Sequence, residues 1–177
     1  GDSFVYDGEE HAPTARAEGL LDGDVCAVTV SGAKVEAGTG YIATAQALSN
    51  ENYALYDPDD EEGVDQDNPQ SFLPTHKFDI VASEITAEIT TTDARYGEAL
   101  KLETEVRLSN GAVTKNHGAV TYYQVLNTGM DREEVEIENG ILIPDGVGPV
   151  TVYAVIAATN NTGSARTADT VIGVDRG

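Results

Sequence analysis

The chain has 177 residues, 40% of them apolar, and 31 acidic against 10 basic residues give it a formal net charge of −21. That length holds one mid-sized domain or two small ones and buries a core without disulfide staples, which the single Cys26 could not form within the chain. The charge repels phosphate backbones and anionic lipid, arguing against nucleic acid and membrane surfaces as partners, and no apolar run approaches the ~18 residues of a membrane-spanning helix.

Taken in order, Val5-Tyr6-Asp7-Gly8 reads as a short strand closing in a turn. Residues 25–31 form the next strand, with Cys26, Val28 and Val30 on one face. No histidine or basic residue in that segment lowers the thiol pKa, so Cys26 is expected to be buried and inert. A strand over 40–48 leads into Leu48-Ser49-Asn50-Glu51-Asn52-Tyr53. Tyr56 to Pro74 is too polar for a strand and too long for a tight turn. It reads as an acidic insertion before a closing strand at 77–82, which puts a domain boundary near Ala82-Ser83-Glu84.

Beyond that boundary, 84–91 is a strand, and Arg95-Tyr96-Gly97-Glu98 repeats the opening pattern. Leu100, Leu102, Val106 and Leu108 then alternate with Lys101, Glu103, Glu105 and Arg107, as one half-buried strand would. Further strands are expected at 119–126 and 169–174. Val150 to Ile156 is apolar on both faces and β-branched, the mark of a central strand. Asp7-Gly8, Asp22-Gly23, Asn110-Gly111, Asn139-Gly140 and Asp145-Gly146 punctuate the runs. No segment keeps a 3.6-residue period over three turns, so the chain reads as all-β.

The two halves carry related markers. Tyr6-Asp7-Gly8, the strand from Ala37 to Ala45 and Asn50-Glu51-Asn52-Tyr53 stand in the first half. Tyr96-Gly97, the strand from Gly148 to Val155 and Asn160-Asn161-Thr162-Gly163 stand in the second. On these residues the first unit resembles a bacterial surface-protein β-repeat of the YDG/MBG type. The second resembles the Tyr-Gly variant of MBG or a bacterial Ig-like repeat, and departs from the pattern at Asn161 and Thr162, where a tyrosine would follow the asparagine. The resemblance implies an extracellular, non-catalytic spacer or adhesion module in a repeat array on a bacterial cell surface. Its partners would be neighbouring repeats and, beyond them, host or cell-wall glycan or protein. It carries over no functional residue, because the shared positions serve turns and packing. The expected architecture is two tandem all-β domains, 1–82 with the acidic insertion at 56–74, and 83–177. The second is expected to be an Ig-like sandwich, the first a smaller sandwich or a β-grasp-like sheet, in a monomeric chain whose ladders carry load.

Three groups of residues invite a chemical reading. Asp57, Asp59 and Glu61, or alternatively Asp65 and Asp67, have the alternating spacing of a calcium loop. Pro58 and Pro69 constrain that loop, and an EF-hand glycine and terminal glutamate are out of place, so a solvated acidic loop accounts for the same residues. His11, His76 and His117 accompany no serine or cysteine motif and match no zinc spacing, which makes them surface residues rather than catalytic ones. Tyr122 and Tyr123 face opposite ways in a strand, so one packs in the core while the other reaches the rim, where a ring could stack on sugar. No catalytic residue and no cofactor is expected, and calcium enters only with a rival reading. The rival readings are a calcium- or glycan-binding module and an accessory domain of a secreted enzyme.

Overall fold

A computed structural model of the chain describes residues 1–53, 55, 73–127 and 130–177. The architecture is all-β, with several sheets and no helix of seven or more residues among the described ones. No helix there is long and apolar enough to cross a membrane. The chain divides into two compact units, Gly1–Val81 and Ala82–Gly177.

The first unit is built on one four-stranded sheet. Its strands β1 (Asp2–Val5), β2 (Val28–Ser31), β3 (Gly38–Leu48) and β4 (Thr75–Val81) lie in the order β1-β4-β3-β2. β3 runs antiparallel to both neighbours, whereas β1 joins β4 in parallel. Period-two alternation sends Ala43 and Ala45 of β3, with Phe78 and Ile80 of β4, to the buried face and leaves Ile42 and Val81 on the exposed one. Phe78 meets Phe4 edge-on with ring centroids 5.9 Å apart, and Tyr41 lies tilted against it at 5.6 Å. Cys26 is buried, as its face predicts, although β2 begins only at Val28 and the neighbouring Val25 is exposed. The turn after β2 needs a glycine: Gly32 has φ +94°, and a Cβ there would lie 2.3 Å from the Ile42 carbonyl oxygen.

The second unit is a sandwich. Its strands are β5 (Ile85–Ile89), β6 (Asp93–Arg95), β7 (Leu100–Lys101), β8 (Thr104–Leu108), β9 (Val120–Asn127), β10 (Glu133–Ile137), β11 (Ile141–Leu142), β12 (Gly148–Ile156), β13 (Ala165–Arg166) and β14 (Thr170–Asp175). The large sheet has the order β10-β9-β12-β14-β6, with β13 also on β12, and β5-β8 and β7-β11 form two small ladders. Ile89 of β5 and Leu142 of β11 pack with Tyr122, Val152, Ala154, Ile172 and Val174 of the large sheet in one core. Burying side chains such as Val152 or Ile172 stabilises the fold by about 1.5–3 kcal/mol each.

β12 is central, as its apolar composition predicts, flanked by β9 on one side and by β14 and β13 on the other. The alternation from Leu100 to Leu108 also holds: Leu102, Val106 and Leu108 are buried. The single strand expected there is, however, split between two ladders. The Leu102 amide donates to the Gly140 carbonyl at 2.9 Å, after which the backbone changes partner from β11 to β5. At the edge of the large sheet, β10 presents Glu133, Glu134 and Glu136, a charged border that discourages edge-to-edge pairing.

Candidate functional site

Asp57, Asp59, Glu61, Asp65 and Asp67, the predicted calcium loop, lie outside the described residues. Among the described residues no group of three His, Cys, Asp or Glu side chains is placed to hold a metal ion. The three histidines do not meet. His11 forms an antiparallel bridge with Lys34, stacks on Phe4 at 5.0 Å and bonds through Nε2 to Asp7 Oδ1 at 2.8 Å. Its side chain is only 18% exposed, so it is a packed residue rather than the surface one expected. The Glu9 amide and the bond to His11 hold the Asp7 carboxyl below its usual pKa. His76 lies 3.5 Å from Asp2 with both side chains well exposed, and His117 bonds through Nδ1 to the Gly118 carbonyl. Among the described residues, Asp2 and His76 are the titratable walls of a groove of about 290 Å³ whose other walls include Ala15, Val30, Ala43 and Ala45.

Tyr122 and Tyr123 separate as strand geometry requires. Tyr122 is in the core, where its hydroxyl accepts a hydrogen bond from Thr104 Oγ1 at 2.8 Å. Tyr123 turns to the outer face of the large sheet and stacks on Tyr153, directly opposite it on β12, with ring centroids 5.1 Å apart. Around this pair stands a cluster of paired charges. The Arg166 guanidinium lies 3.8 Å over the Tyr153 ring, and the Tyr153 hydroxyl donates to Glu134 Oε2 at 2.7 Å. Arg132 donates through Nε to Glu134 at 2.7 Å and through both terminal nitrogens to Asp169 at 2.9 and 3.1 Å. Arg166 reaches Asp169 as well, at 3.1 Å.

The electrostatics follow from these bonds. The Tyr153 hydroxyl and then Arg132 hold the Glu134 carboxyl below its usual pKa. Arg132 first, with Arg166 behind it, does the same for Asp169. Burial, followed by the bond to Glu134, raises the Tyr153 pKa. Arg132 is held cationic by both carboxylates. Two cations face two anions in the cluster, and each carboxylate is engaged by at least one arginine. Its chemistry is to lock β9, β10, β12, β13 and the approach to β14 together across the outer face. Sequence reading missed it because Arg132, Glu134, Tyr153, Arg166 and Asp169 come from separate segments that only sheet register unites.

The paired Tyr-Gly markers do find a common structural role. The Tyr6 amide, just after β1, donates to the Val81 carbonyl of β4 at 2.9 Å, and the Tyr96 amide, just after β6, donates to the Asp175 carbonyl of β14 at 2.9 Å. A glycine in the left-handed region follows each, Gly8 (φ +86°) two residues after Tyr6 and Gly97 (φ +72°) directly after Tyr96. The second marker, Asn160-Asn161-Thr162, is a turn closed on Thr159 Oγ1, which accepts from the amides of Asn161 and Thr162 at 3.2 and 3.1 Å. Comparison with protein-family models finds no match for the chain, and a search of curated proteins finds none either.

Proposed function

We propose that the chain is a non-catalytic structural module of an extracellular bacterial surface protein, a spacer of two β-units in series that contributes to adhesion by extending a binding tip. The observation that carries this reading is the cluster around Tyr153, whose two arginines and two carboxylates pair with one another and tie strands of the large sheet together. Side-chain polar atoms buried among the described residues likewise all have hydrogen-bond partners. The net charge of −21 keeps such a chain soluble and monomeric.

A second reading, glycan binding, is favoured by one feature, the half-buried Tyr123 ring on the outer face beside Tyr153. Titration calorimetry with calcium, a glycan array and a panel of chromogenic hydrolase substrates separate the readings. The spacer reading expects no saturable heat, no glycan hits and no turnover. Glycan hits abolished by Tyr123→Ala would establish the second reading, and turnover would remove both. The reading frame that contains this chain should also encode further units of the same kind.

A further inference from the structure

We propose that each unit carries a shear-loaded clamp, a parallel strand pair near its two ends, which sets the tension at which the unit opens. The proposal rests on the reading of the chain as a spacer and names the bonds that bear its load. In the first unit the pair is β1 and β4, with Asp2, Ser3, Phe4 and Val5 opposite Phe78, Asp79, Ile80 and Val81. Tension applied to the ends of this unit enters at the start of β1 and leaves at the end of β4. Because the strands are parallel and adjacent, those two points lie at opposite ends of the pair. The pull therefore runs along the strands and strains every rung together, whereas a pull on two strand ends at the same side would open one rung at a time.

The second unit repeats the device with different residues. Asp93, Ala94 and Arg95 of β6 lie parallel to Gly173, Val174 and Asp175 of β14. The ladder is extended at both ends, by the Gly173 amide to the Thr92 carbonyl at 3.0 Å and the Tyr96 amide to the Asp175 carbonyl at 2.9 Å. In both units the tyrosine of the recurrent marker supplies the last rung, and a left-handed glycine one or two residues on turns the chain off the sheet. The marker thus punctuates the clamp. Packing stiffens the first clamp from one side, where Phe4 is held between Phe78 and His11.

The two clamps are unequal. Before β6, the second unit is also anchored by the five-residue β5-β8 ladder. Ser83, fully buried at its entry, donates its amide to the Asn161 carbonyl and accepts from the Gly163 amide, both at 2.9 Å. In the first unit the load reaches the β1-β4 pair directly, so this unit opens first.

Single-molecule pulling on the full chain tests this without altering the core. One handle is fixed at Gly1 and the other at a cysteine introduced by Val81→Cys or by Thr75→Cys, both exposed positions, while Cys26 stays buried. Attachment at 81 loads β1-β4 in shear, and attachment at 75 peels β1 from the near end of β4. Shear opening is expected to need at least about twice the force, since several rungs share the load. A ratio near one overturns the clamp. Pulled by its two ends, the chain should open first by about 28 nm and then by about 34 nm, the contour of each unit at roughly 3.5 Å per residue. The reverse order overturns the ranking of the two clamps. Equal forces without ligand binding or turnover remove the clamp and leave the spacer reading standing, while turnover removes the spacer reading itself.

Discussion

Replacing Gly118 by alanine tests the closest backbone approach in the second unit. Gly118 precedes β9 and lies outside the left-handed region, so its need for glycine is one of space alone. A Cβ there would lie 1.9 Å from the Ala157 carbonyl oxygen and 2.7 Å from its carbon. Both neighbours are backbone, so neither can swing aside as a side chain would. Relief requires parting the start of β9 from the end of β12, beside the Ala157 amide bond to Ala119 at 2.9 Å. Overpacking costs about 1–3 kcal/mol and the lost hydrogen bond about 1 kcal/mol more, or roughly 3 kcal/mol in all. For a unit of this size that lowers the melting temperature by about 12–24 °C. Gly111→Ala is the control. It has φ +86° but nothing within 4 Å of its Cβ, so it should cost only about 1 kcal/mol of backbone strain. Calorimetry of the full chain, with hydrogen exchange assigning the transition to peptides from β9 and β12, measures both. Equal costs for the two substitutions would refute the close approach.

Further outcomes follow from burial and charge. Ile156→Ala, at a fully buried site of β12, should cost about 2–5 kcal/mol, while Leu126→Ala on the exposed end of β9 should stay within about 0.5 kcal/mol, both read from urea midpoints. Cys26 should react with a thiol reagent only after denaturant is added, and fast labelling of the native chain would contradict its burial. Glu134 and Asp169 have folded-state pKa values below their unfolded ones, so their contribution is complete above about pH 4 and is lost as the pH falls further. Acid also relieves the repulsion of a highly negative chain, so the informative quantity is a difference. Wild type should lose more stability than Asp169→Asn between pH 5 and pH 2.5, and parallel curves would show that the Arg132 pairing is not felt.

What sequence made legible was periodicity, and what it hid was pairing. Val150 to Ile156 announced a central strand because both faces were apolar, and it is flanked on both sides. The inward set Leu102, Val106 and Leu108 was equally plain, yet nothing in the alternation marks the change of ladder at Leu102, since either partner leaves the inward face unchanged. β10 escaped notice because an edge strand built on Glu133, Glu134 and Glu136 looks like a polar loop. β6, β11 and β13 span only two or three residues, too few for a period to register. The Tyr153 cluster was out of reach for a different reason: its members are brought together by the register of β9, β10, β12 and β13, a long-range property. His11 was read from its turn-like neighbours, whereas its surroundings are set by the distant Lys34 and Phe4.

The two marker tyrosines make the same backbone bond yet differ in their side chains, with Tyr6 4% and Tyr96 53% exposed. The recurrent element is therefore the amide and the glycine turn, not an aromatic packing position. At Tyr96 the roles can be separated. The Glu98 amide bonds back to the Arg95 carbonyl at 3.2 Å, and Gly97 has φ +72°, so Tyr96 occupies the second position of a type II turn, where proline fits. Tyr96→Pro should keep the turn and remove a single rung, the bond to Asp175. The lost bond costs about 1 kcal/mol, and the restriction of the unfolded chain returns about 0.4–1 kcal/mol, so the urea midpoint should scarcely move. Under tension there is no such offset, because the rung is absent when the clamp is loaded, and the force that opens the second unit should fall. Tyr96→Ser, which keeps the amide and gives up an exposed ring, should change neither quantity. If the serine variant weakens the unit under force as much as the proline variant, the ring carries the effect and the clamp is not closed by the backbone.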